Sequence, residues 1–238
     1  MILGSRKILI AVAHPDDETL GAGGTIRRLV DSGSRVDLLV VSDGSSAQFG
    51  EDMTARNRRN AHLDNACQIL GIKRCYVLDF PDMRLDTVPH IELNRAIGQI
   101  TAGEDYDTIL THHPGDVNKD HEQVFNSVMV VARPLPGSSI RTVATFSVNS
   151  STEWGAPLAN GIFLPNLFVN IDETIDHKLQ ALEAYEDELR AWPHPRSVEA
   201  VRARAQTFGS EIGVGHAEAF QLIRGLIREP GSARKNSP

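Results

Sequence analysis

The chain has 238 residues, 41% of them hydrophobic, with 24 Lys and Arg residues against 31 Asp and Glu residues. This length suffices for one full-sized hydrophobic core and favours one domain over two. The formal net charge of -7 argues against nucleic acid as a partner and favours a small polar ligand. The longest apolar run, residues 8–13, is far shorter than the roughly 20 residues that a membrane helix needs. We therefore expect no membrane span, and because we recognise no secretory signal, we expect a cytoplasmic location.

Short aliphatic runs alternate with helical patterns along the first half of the chain. The strand signals lie at residues 7–13, 35–42, 74–79 and 108–111. The helical patterns that follow them cover residues 18–32, 54–70, 88–102 and 120–132. This alternation predicts an α/β fold, in which a parallel sheet has helices on both faces.

The pattern changes from Arg141 onward. Two short strand-like runs, residues 142–148 and 167–171, are followed by two helical patterns, residues 173–191 and 198–209. We interpret residues 141–229 as a small C-terminal α/β subdomain that folds back on the core of residues 7–135. Residues 1–229 then form a single domain. Residues 230–238 consist mainly of Pro, Gly, Ser and basic residues, a composition typical of a disordered tail.

Three polar clusters come directly after predicted strands. AHPDDE occupies residues 13–18 after the first strand, and SDG occupies residues 42–44 after the second. THHPGDVNKDH occupies residues 111–121 after the fourth. Ligands of an open parallel sheet bind outside the carboxyl ends of its strands, so these clusters are the first candidates for a functional site.

The first cluster places three acids beside His14. Asp16, Asp17 and Glu18 would repel one another unless a positive charge lay among them. One imidazole and one carboxylate from this loop, with one imidazole from the third cluster, form the ligand set of a catalytic zinc site with one open position. The alternative is that the acids cap the N-terminus of the following helix. The arrival of a second ligand-bearing loop at the same sheet edge favours the metal.

This combination of motifs resembles the PIG-L/LmbE family of zinc-dependent N-deacetylases, whose fold is Rossmann-like. The HPDDE stretch at residues 14–18 and the later Asp120-His121 pair are the main points of resemblance, and weaker agreements extend over residues 7–223. The resemblance implies a Rossmann-like, mostly parallel sheet. It also implies that the protein removes an acetyl or other acyl group from the amide nitrogen of an N-acetylated amino sugar or a related small conjugate.

The resemblance further implies roles for individual residues. His14, Asp17 and His121 match the family's zinc ligands, with one zinc per chain, and Asp16 matches the general base. In this mechanism a zinc-bound water attacks the amide carbonyl while Asp16 takes its proton and later returns it to the leaving amine. Fe2+ or Co2+ would accept the same set of two histidines and one carboxylate.

One position departs from the family pattern close to the chemistry. Asn118 stands three places before the ligand histidine, where many members have a histidine thought to support the tetrahedral intermediate. Because Asn donates hydrogen bonds but cannot shuttle a proton, we expect Asn118 to donate to the oxyanion and Asp16 to transfer all protons. His112, His113 and His216 are the alternatives for a second acid.

Other polar residues are candidates for supporting roles. Asp120 either orients a catalytic or metal-bound imidazole, as carboxylates often do, or caps a helix. Arg59 is a candidate substrate contact through its forked guanidinium, and its alternative is a solvated side chain. Asp43 either rims the pocket or forms a turn. His113 is a further candidate substrate contact, and His62, where the family often has glutamate, also bears on substrate binding.

Two other classes of function stay open at this level. A zinc-dependent lyase or hydratase, or another amidase, would use the same scaffold, although the retention of both aspartates favours hydrolysis. A nucleotide-binding module is disfavoured, because the first turn has HPDDE in place of a glycine-rich phosphate cradle. The substrate would be chosen by loops 44–53, 81–90 and 149–165, and homo-oligomer formation also stays open.

Overall fold

The computed structural model describes residues 4–49, 52–156 and 161–227. Its strands are β1 (Lys7–Val12), β2 (Arg35–Ser42), β3 (Arg74–Phe80), β4 (Thr108–His112), β5 (Thr142–Phe146), β6 (Leu167–Asn170) and β7 (Ala217–Gly225). Within the described residues they form one seven-stranded sheet in the order β3-β2-β1-β4-β5-β7-β6. Strands β1 to β5 pair in parallel, whereas β7 is antiparallel to both β5 and β6. The predicted α/β fold with a mostly parallel sheet is confirmed.

Helices cover both faces of this sheet. They are α1 (Asp17–Asp31), α2 (Ser46–Phe49), α3 (Met53–Leu70), α4 (His90–Ala102), α5 (Lys119–Val131), α6 (Ile175–Glu183) and α7 (Val198–Ile212). The position of β1 between two layers of helices explains why its sequence is mostly apolar. Ile8 and Ile10 pack in one core with α1, α3 and α6, while Leu9 and Ala11 pack in a second core with α4 and α5. Successive strand side chains point to opposite faces, so a strand covered on both faces has no polar positions.

The N-terminal half of α1 lies very close to the end of the sheet. A Cβ atom on Gly21 would overlap the ring of Phe146, and one on Gly24 would lie 2.8 Å from Cδ1 of Ile171. Only glycine permits this approach at these two positions. The glycines therefore bring the loop before α1 into the space above β1, β4 and β5.

The region after Arg141 contributes β5, β6 and β7 to the same sheet, and α6 packs against α1. The predicted helix over residues 173–191 is wrong in its second half, because α6 ends at Glu183 and the chain continues in turns. There the buried side chain of Tyr185 faces α1, and its tertiary contact outweighs the helical pattern. Strand β7 was not predicted, because its partners β5 and β6 are distant in sequence. Residues 230–238 lie outside the described residues.

The sheet order places the three polar clusters together. Strands β2, β1 and β4 are neighbours and run parallel, so the loops that follow them emerge at one edge. In the described part of the chain, no helix is both long and apolar enough to cross a membrane.

Candidate metal and active site

The loop between β1 and α1 has an unusual backbone at Asp16. This residue is the N-cap of α1, but its φ of 102° is in the left-handed range, and its side chain makes no capping hydrogen bond. Such a conformation in a non-glycine residue costs of the order of 1–3 kcal/mol and is concentrated at functional sites. Asp17 accepts the N–H of His14 through Oδ2 at 2.9 Å. Helix capping therefore does not account for the carboxylate of Asp16.

Two imidazoles of the predicted ligand set converge on one carboxylate oxygen of Asp17, and Nε2 of His112 lies 3.5 Å from the same oxygen. Its Oδ2 lies 3.2 Å from Nδ1 of His14 and 3.4 Å from Nε2 of His121. All three side chains are buried, and one ligand atom from each lies within 4.8 Å of the others. The structure thus brings the three predicted metal ligands together as two nitrogens and one oxygen, a donor set that suits zinc and leaves a fourth position for water.

The outer nitrogen of each imidazole faces another carboxylate. Nε2 of His14 lies 3.1 Å from Oδ2 of Asp120 and 3.3 Å from Oδ1 of Asp82. Nδ1 of His121 lies 3.0 Å from Oδ2 of Asp116. A carboxylate on the outer nitrogen keeps the proton there, which leaves the lone pair of the inner nitrogen available to a metal.

His14, Asp82 and Asp120 also satisfy the distances of a metal-binding group. Both carboxylates, however, face the same outer nitrogen of His14. We therefore interpret them as the groups that orient this imidazole and fix its tautomer.

The electrostatics of the three ligands favour a cation. Burial alone would lower the pKa of His14, but its hydrogen bonds to Asp120 and Asp17 outweigh burial and raise the pKa to about 10. Burial opposes charge on His121 as well, yet Asp17 and Asp116 raise its pKa to about 9. For Asp17, burial is outweighed by the neighbouring histidines, chiefly His121, so its pKa lies well below the usual range. Carboxylates that stabilise positive charge on two buried imidazoles would stabilise a divalent cation in the same place, so these residues fit a metal.

Asp16 lies beside this group in a pocket of alternating charge. Its Oδ2 is buried without a hydrogen bond, 3.4 Å from Nη1 of Arg196. That Nη1 also lies 2.7 Å from Oε2 of Glu188, whose Oε1 accepts from Nη1 of Arg59. Burial raises the pKa of Asp16, and the two guanidiniums, Arg196 first, reduce the shift without cancelling it. A buried carboxylate with a raised pKa has the properties of a general base.

Two of the predicted substrate contacts are engaged with the protein itself. The guanidinium of Arg59 points inward, because its Nη2 donates to the carbonyl oxygen of Pro15 at 3.1 Å while Nη1 binds Glu188. Oδ1 of Asp43 accepts the backbone N–H groups of residues 45 and 46, at 2.9 and 2.8 Å. This is the turn-forming alternative. Between these loops Gly44 has φ 63°, and a Cβ there would lie 2.5 Å from Cδ of Pro15. The second cluster is therefore packed directly against the first.

Asn118 and Asp120 have different tasks at the start of α5. Asn118 is the N-cap, and its Oδ1 accepts the N–H of Asp120 at 3.0 Å. Its Nδ2 is directed away from the helix, 3.4 Å from Sδ of Met83. Asp120 is not the cap: its Oδ1 accepts the N–H of Leu85 at 2.9 Å, and its Oδ2 faces His14. Of the two alternatives for Asp120, the structure shows contact with an imidazole.

His112 at the end of β4 and His113 directly after it make different contacts. His112 is fully buried, and its Nε2 accepts the N–H of Ala13 at 2.8 Å. Its ring stacks on His121 at 3.8 Å, and burial lowers its pKa to about 3. His112 thus supports the metal site as a neutral ring. Nε2 of His113 lies 3.1 Å from the carbonyl oxygen of Gly161, which belongs to the loop of residues 149–165.

His216 has its partner elsewhere. Its Nδ1 lies 3.1 Å from Oδ1 of Asp172, just after β6. Among the described contacts of His216, none involves the HPDDE loop. Of the three candidates for a second acid, His112 and His113 therefore belong to the third cluster, whereas His216 lies outside it.

The model of the family described as PIG-L: GlcNAc-PI de-N-acetylase matches residues 9–132, just over half of the chain. The chain belongs to the PIG-L family. The members below are named as deacetylases, and the resemblance drawn from the sequence motifs is confirmed.

Two curated relatives and one solved structure illustrate the similarity. A probable N-acetyl-alpha-D-glucosaminyl L-malate deacetylase 2 of Bacillus cereus is 30% identical over 78% of this chain and 85% of its own length. The diacetylchitobiose deacetylase of Thermococcus kodakarensis is 24% identical over 93% of this chain and 85% of its own length. The inhibitor-bound structure of N,N'-diacetylchitobiose deacetylase from Pyrococcus horikoshii superposes with a TM-score of 0.74 at 22% identity, covering 96% of this chain and 88% of that one.

Several residues around the PIG-L site were given no role from the sequence. Asp82 and Asp116 follow strands β3 and β4, but acids in polar loops are common, and only the fold shows that they face ligand imidazoles. Glu188 and Arg196 belong to the segment of residues 184–197, which lies beyond the matched family region. No motif marks this segment, so its approach to Asp16 had no local signal.

Proposed function

We propose that this PIG-L enzyme removes the acetyl group from an N-acetylated amino sugar or a related small conjugate, with a metal held by His14, Asp17 and His121. The observation that supports this proposal is the arrangement of the two imidazoles. Each has one nitrogen directed at Asp17 and the other at a carboxylate outside the group. This arrangement leaves two lone pairs and one carboxylate oxygen pointing into the same small space.

When bound there, zinc supplies Lewis acidity toward the amide carbonyl and makes water acidic enough to be deprotonated near neutral pH. Fe2+ or Co2+ would supply the same chemistry to this donor set. Asp120 and Asp116 hold the two imidazoles in the tautomer that presents a lone pair. His112 fills the space behind His121 without bringing a charge.

Asp16 is the general base in this proposal. Its carboxylate takes the proton of the attacking water and returns it to the nitrogen of the leaving amine. Burial favours proton uptake by this carboxylate, as its raised pKa indicates. The amide N–H groups of Asn118 donate to the developing oxyanion, since the carbonyl oxygen of that side chain is already used as the cap of α5.

The substrate class follows from the relatives. One is named for an N-acetyl-glucosaminyl malate and another for diacetylchitobiose, so both substrates contain an N-acetylated glucosamine. We infer the same acyl amide on an amino sugar here. Asp43 in the cluster of residues 42–44 and His113 in the cluster of residues 111–121 are the candidate substrate contacts, although Oδ1 of Asp43 also holds a turn. The role proposed for Arg59 becomes indirect, because its guanidinium supports the HPDDE loop from behind.

Acetate release tests this proposal. Metal-replete enzyme is incubated with N-acetylglucosamine, diacetylchitobiose and N-acetylglucosaminyl malate, and free acetate and free amine are measured in equal amounts. Chelator-treated enzyme is the control, and its activity is restored separately with Zn2+, Fe2+ and Co2+. Hydration or elimination without acetate release would contradict the deacetylase and favour the lyase alternative.

The remaining expectations are tested by separate measurements. Cell fractionation tests the cytoplasmic location, light scattering tests homo-oligomer formation, and an electrophoretic shift assay tests the expected lack of nucleic-acid binding.

A further inference from the structure

We propose that Arg196 is a positioning residue that holds the carboxylate of Asp16 in place for proton transfer. This inference rests on the proposed role of Asp16 as the general base. The guanidinium comes from the segment of residues 184–197, outside the matched family region, and reaches across the molecule to the HPDDE loop.

The local structure gives Asp16 little restraint of its own. The residue occupies the N-cap of α1 without a capping bond from its side chain, and its φ is in the left-handed range. Its Oδ2 is buried and has no hydrogen bond. In the described residues, the ion pair with Nη1 of Arg196 at 3.4 Å is the one charged contact of that oxygen within 4 Å. A base must be held within hydrogen-bond reach of the proton that it takes, so this contact bears on the rate.

Arg196 is itself fixed at three points. Its Nη1 lies 2.7 Å from Oε2 of Glu188, and its Nε donates to Oγ of Ser150 at 2.7 Å. Its backbone N–H donates to Nδ1 of His194 at 3.0 Å. The side chain is 26% exposed, whereas those of Asp16 and Glu188 are 2% and 7% exposed. A planar guanidinium held in this way offers its N–H groups to two carboxylates in a fixed geometry, which an ammonium cannot reproduce.

The charges around Asp16 explain why a fixed cation is needed there. Asp17 and Glu188 both repel the carboxylate of Asp16. Glu188 is in turn shared between Arg59 and Arg196, so two guanidiniums alternate with two carboxylates. Removing Arg196 leaves Asp16 beside Asp17 and Glu188 without the cation that faces its Oδ2, and its carboxylate is expected to rotate away from the reacting centre. Arg59 remains bound to Pro15 and cannot follow it.

The experiment combines Arg196→Gln with Asp16→Asn in a double-mutant cycle on metal-replete enzyme. We expect Arg196→Gln to lower kcat about 10- to 100-fold with KM changed by less than about 3-fold, in the range of a misplaced base. In the Asp16→Asn background the same substitution should change kcat by less than about 2-fold, because the group that it positions is gone. Arg196→Lys should restore only part of the loss. Arg202→Gln, whose guanidinium binds the exposed Asp176, is the matched control and should behave as wild type.

A readout without turnover accompanies the kinetics. Crystals of metal-bound Arg196→Gln should show the Asp16 carboxylate displaced, with His14, Asp17 and His121 unmoved and metal content unchanged. If this variant does not fold, Ser150→Ala removes only the anchor of Nε and should lower kcat by about 2- to 10-fold.

Three results would overturn the proposal: wild-type kcat in Arg196→Gln, a raised KM at unchanged kcat, or an equal loss of kcat in the Asp16→Asn background. The second would make Arg196 a substrate contact. Full activity of Asp16→Asn alone would instead refute the base, and with it the proposed mechanism.

Discussion

The loops after β1 and β4 and the segment of residues 184–197 both reach the same site, but they are encoded differently. The two loops follow directly from buried parallel strands, and the ligands lie in the first of them or in the first turn of the helix that follows each loop. The segment of residues 184–197 leaves helix α6 and reaches the site through isolated contacts. Tyr185 binds α1, Glu188 pairs with an arginine of α3, and Arg196 pairs with the residue before α1. The metal-binding groups are therefore specified locally, whereas the environment of the base is assembled from distant parts of the chain.

The largest effects should come from the ligands in the two loops. His14→Ala and His121→Ala should each reduce metal content from about one per chain to a small fraction and abolish acetate release, because two remaining ligands bind zinc weakly. Elemental analysis of folded protein measures the metal. His216→Ala, whose imidazole pairs with Asp172, is the control and should keep both metal and activity. Full metal content in either ligand variant would show that the ligand assignment is wrong.

The next largest effects should come from Asp16 and Asp17, and they should differ in kind. Asp16→Asn should retain the metal and lose activity by about 100-fold or more, as expected for a positioned base. Asp17→Asn should instead weaken metal retention, since its Oδ2 lies beside both imidazoles. Metal content and kcat/KM measured on the same samples distinguish these outcomes. The opposite pattern would mean that the roles of the two residues are exchanged.

An effect of intermediate size is expected from Asn118, in the loop after β4. Asn118→Ala should lower kcat by about 10- to 1000-fold with little change in KM, the range expected for one lost oxyanion donor. The variant also loses the cap of α5, so Asn118→Asp, which keeps the cap acceptor but not the amide donor, is the matched comparison.

The pH profile gives a further check on this assignment. Asp16 must be ionised to accept a proton, and burial raises its pKa, so wild-type kcat/KM should fall as the pH decreases through the acidic range. Asn118 does not titrate, so no strong loss of the histidine type is expected on the basic side, and Asn118→His should add one. Unimpaired kcat in Asn118→Ala would contradict the oxyanion role.

The smallest effect on turnover should come from Tyr185 in the segment of residues 184–197. Its hydroxyl donates to Oε1 of Glu18 at 2.7 Å in a fully buried setting. Tyr185→Phe should lower the free energy of unfolding by about 1–3 kcal/mol, because the buried acceptor loses one of its two donors, the other being the hydroxyl of Thr19. We expect kcat to change by less than about 3-fold. Ser210→Ala is the control, since it removes an exposed hydroxyl that donates to the carbonyl oxygen of Thr207 at 2.7 Å, and it should change stability by less than about 0.5 kcal/mol.

The sequence determined the sheet and the metal-binding loops because their signals are local. An apolar strand followed by HPDDE places His14 and Asp17 at a strand end, and the parallel order of β1 and β4 brings His121 beside them. The spacing of hydrophobic residues, the helix lengths and the positions of glycines can each be recognised within or directly beside the element that they specify. The predicted boundaries of α1, α3, α4 and α5 accordingly agree with the structure to within two residues.

Tertiary structure alone decided which carboxylate faces which imidazole and what surrounds the base. Asp120 orients His14 of the other loop, although it adjoins His121 in sequence. Helix α6 ends before residue 191, because Tyr185 and Glu188 are stabilised by contacts with α1 and α3 that no local pattern encodes. The pairing of Arg196 with Asp16 joins positions 180 residues apart, and such a contact exists only once the sheet and α1 have fixed the distance between them.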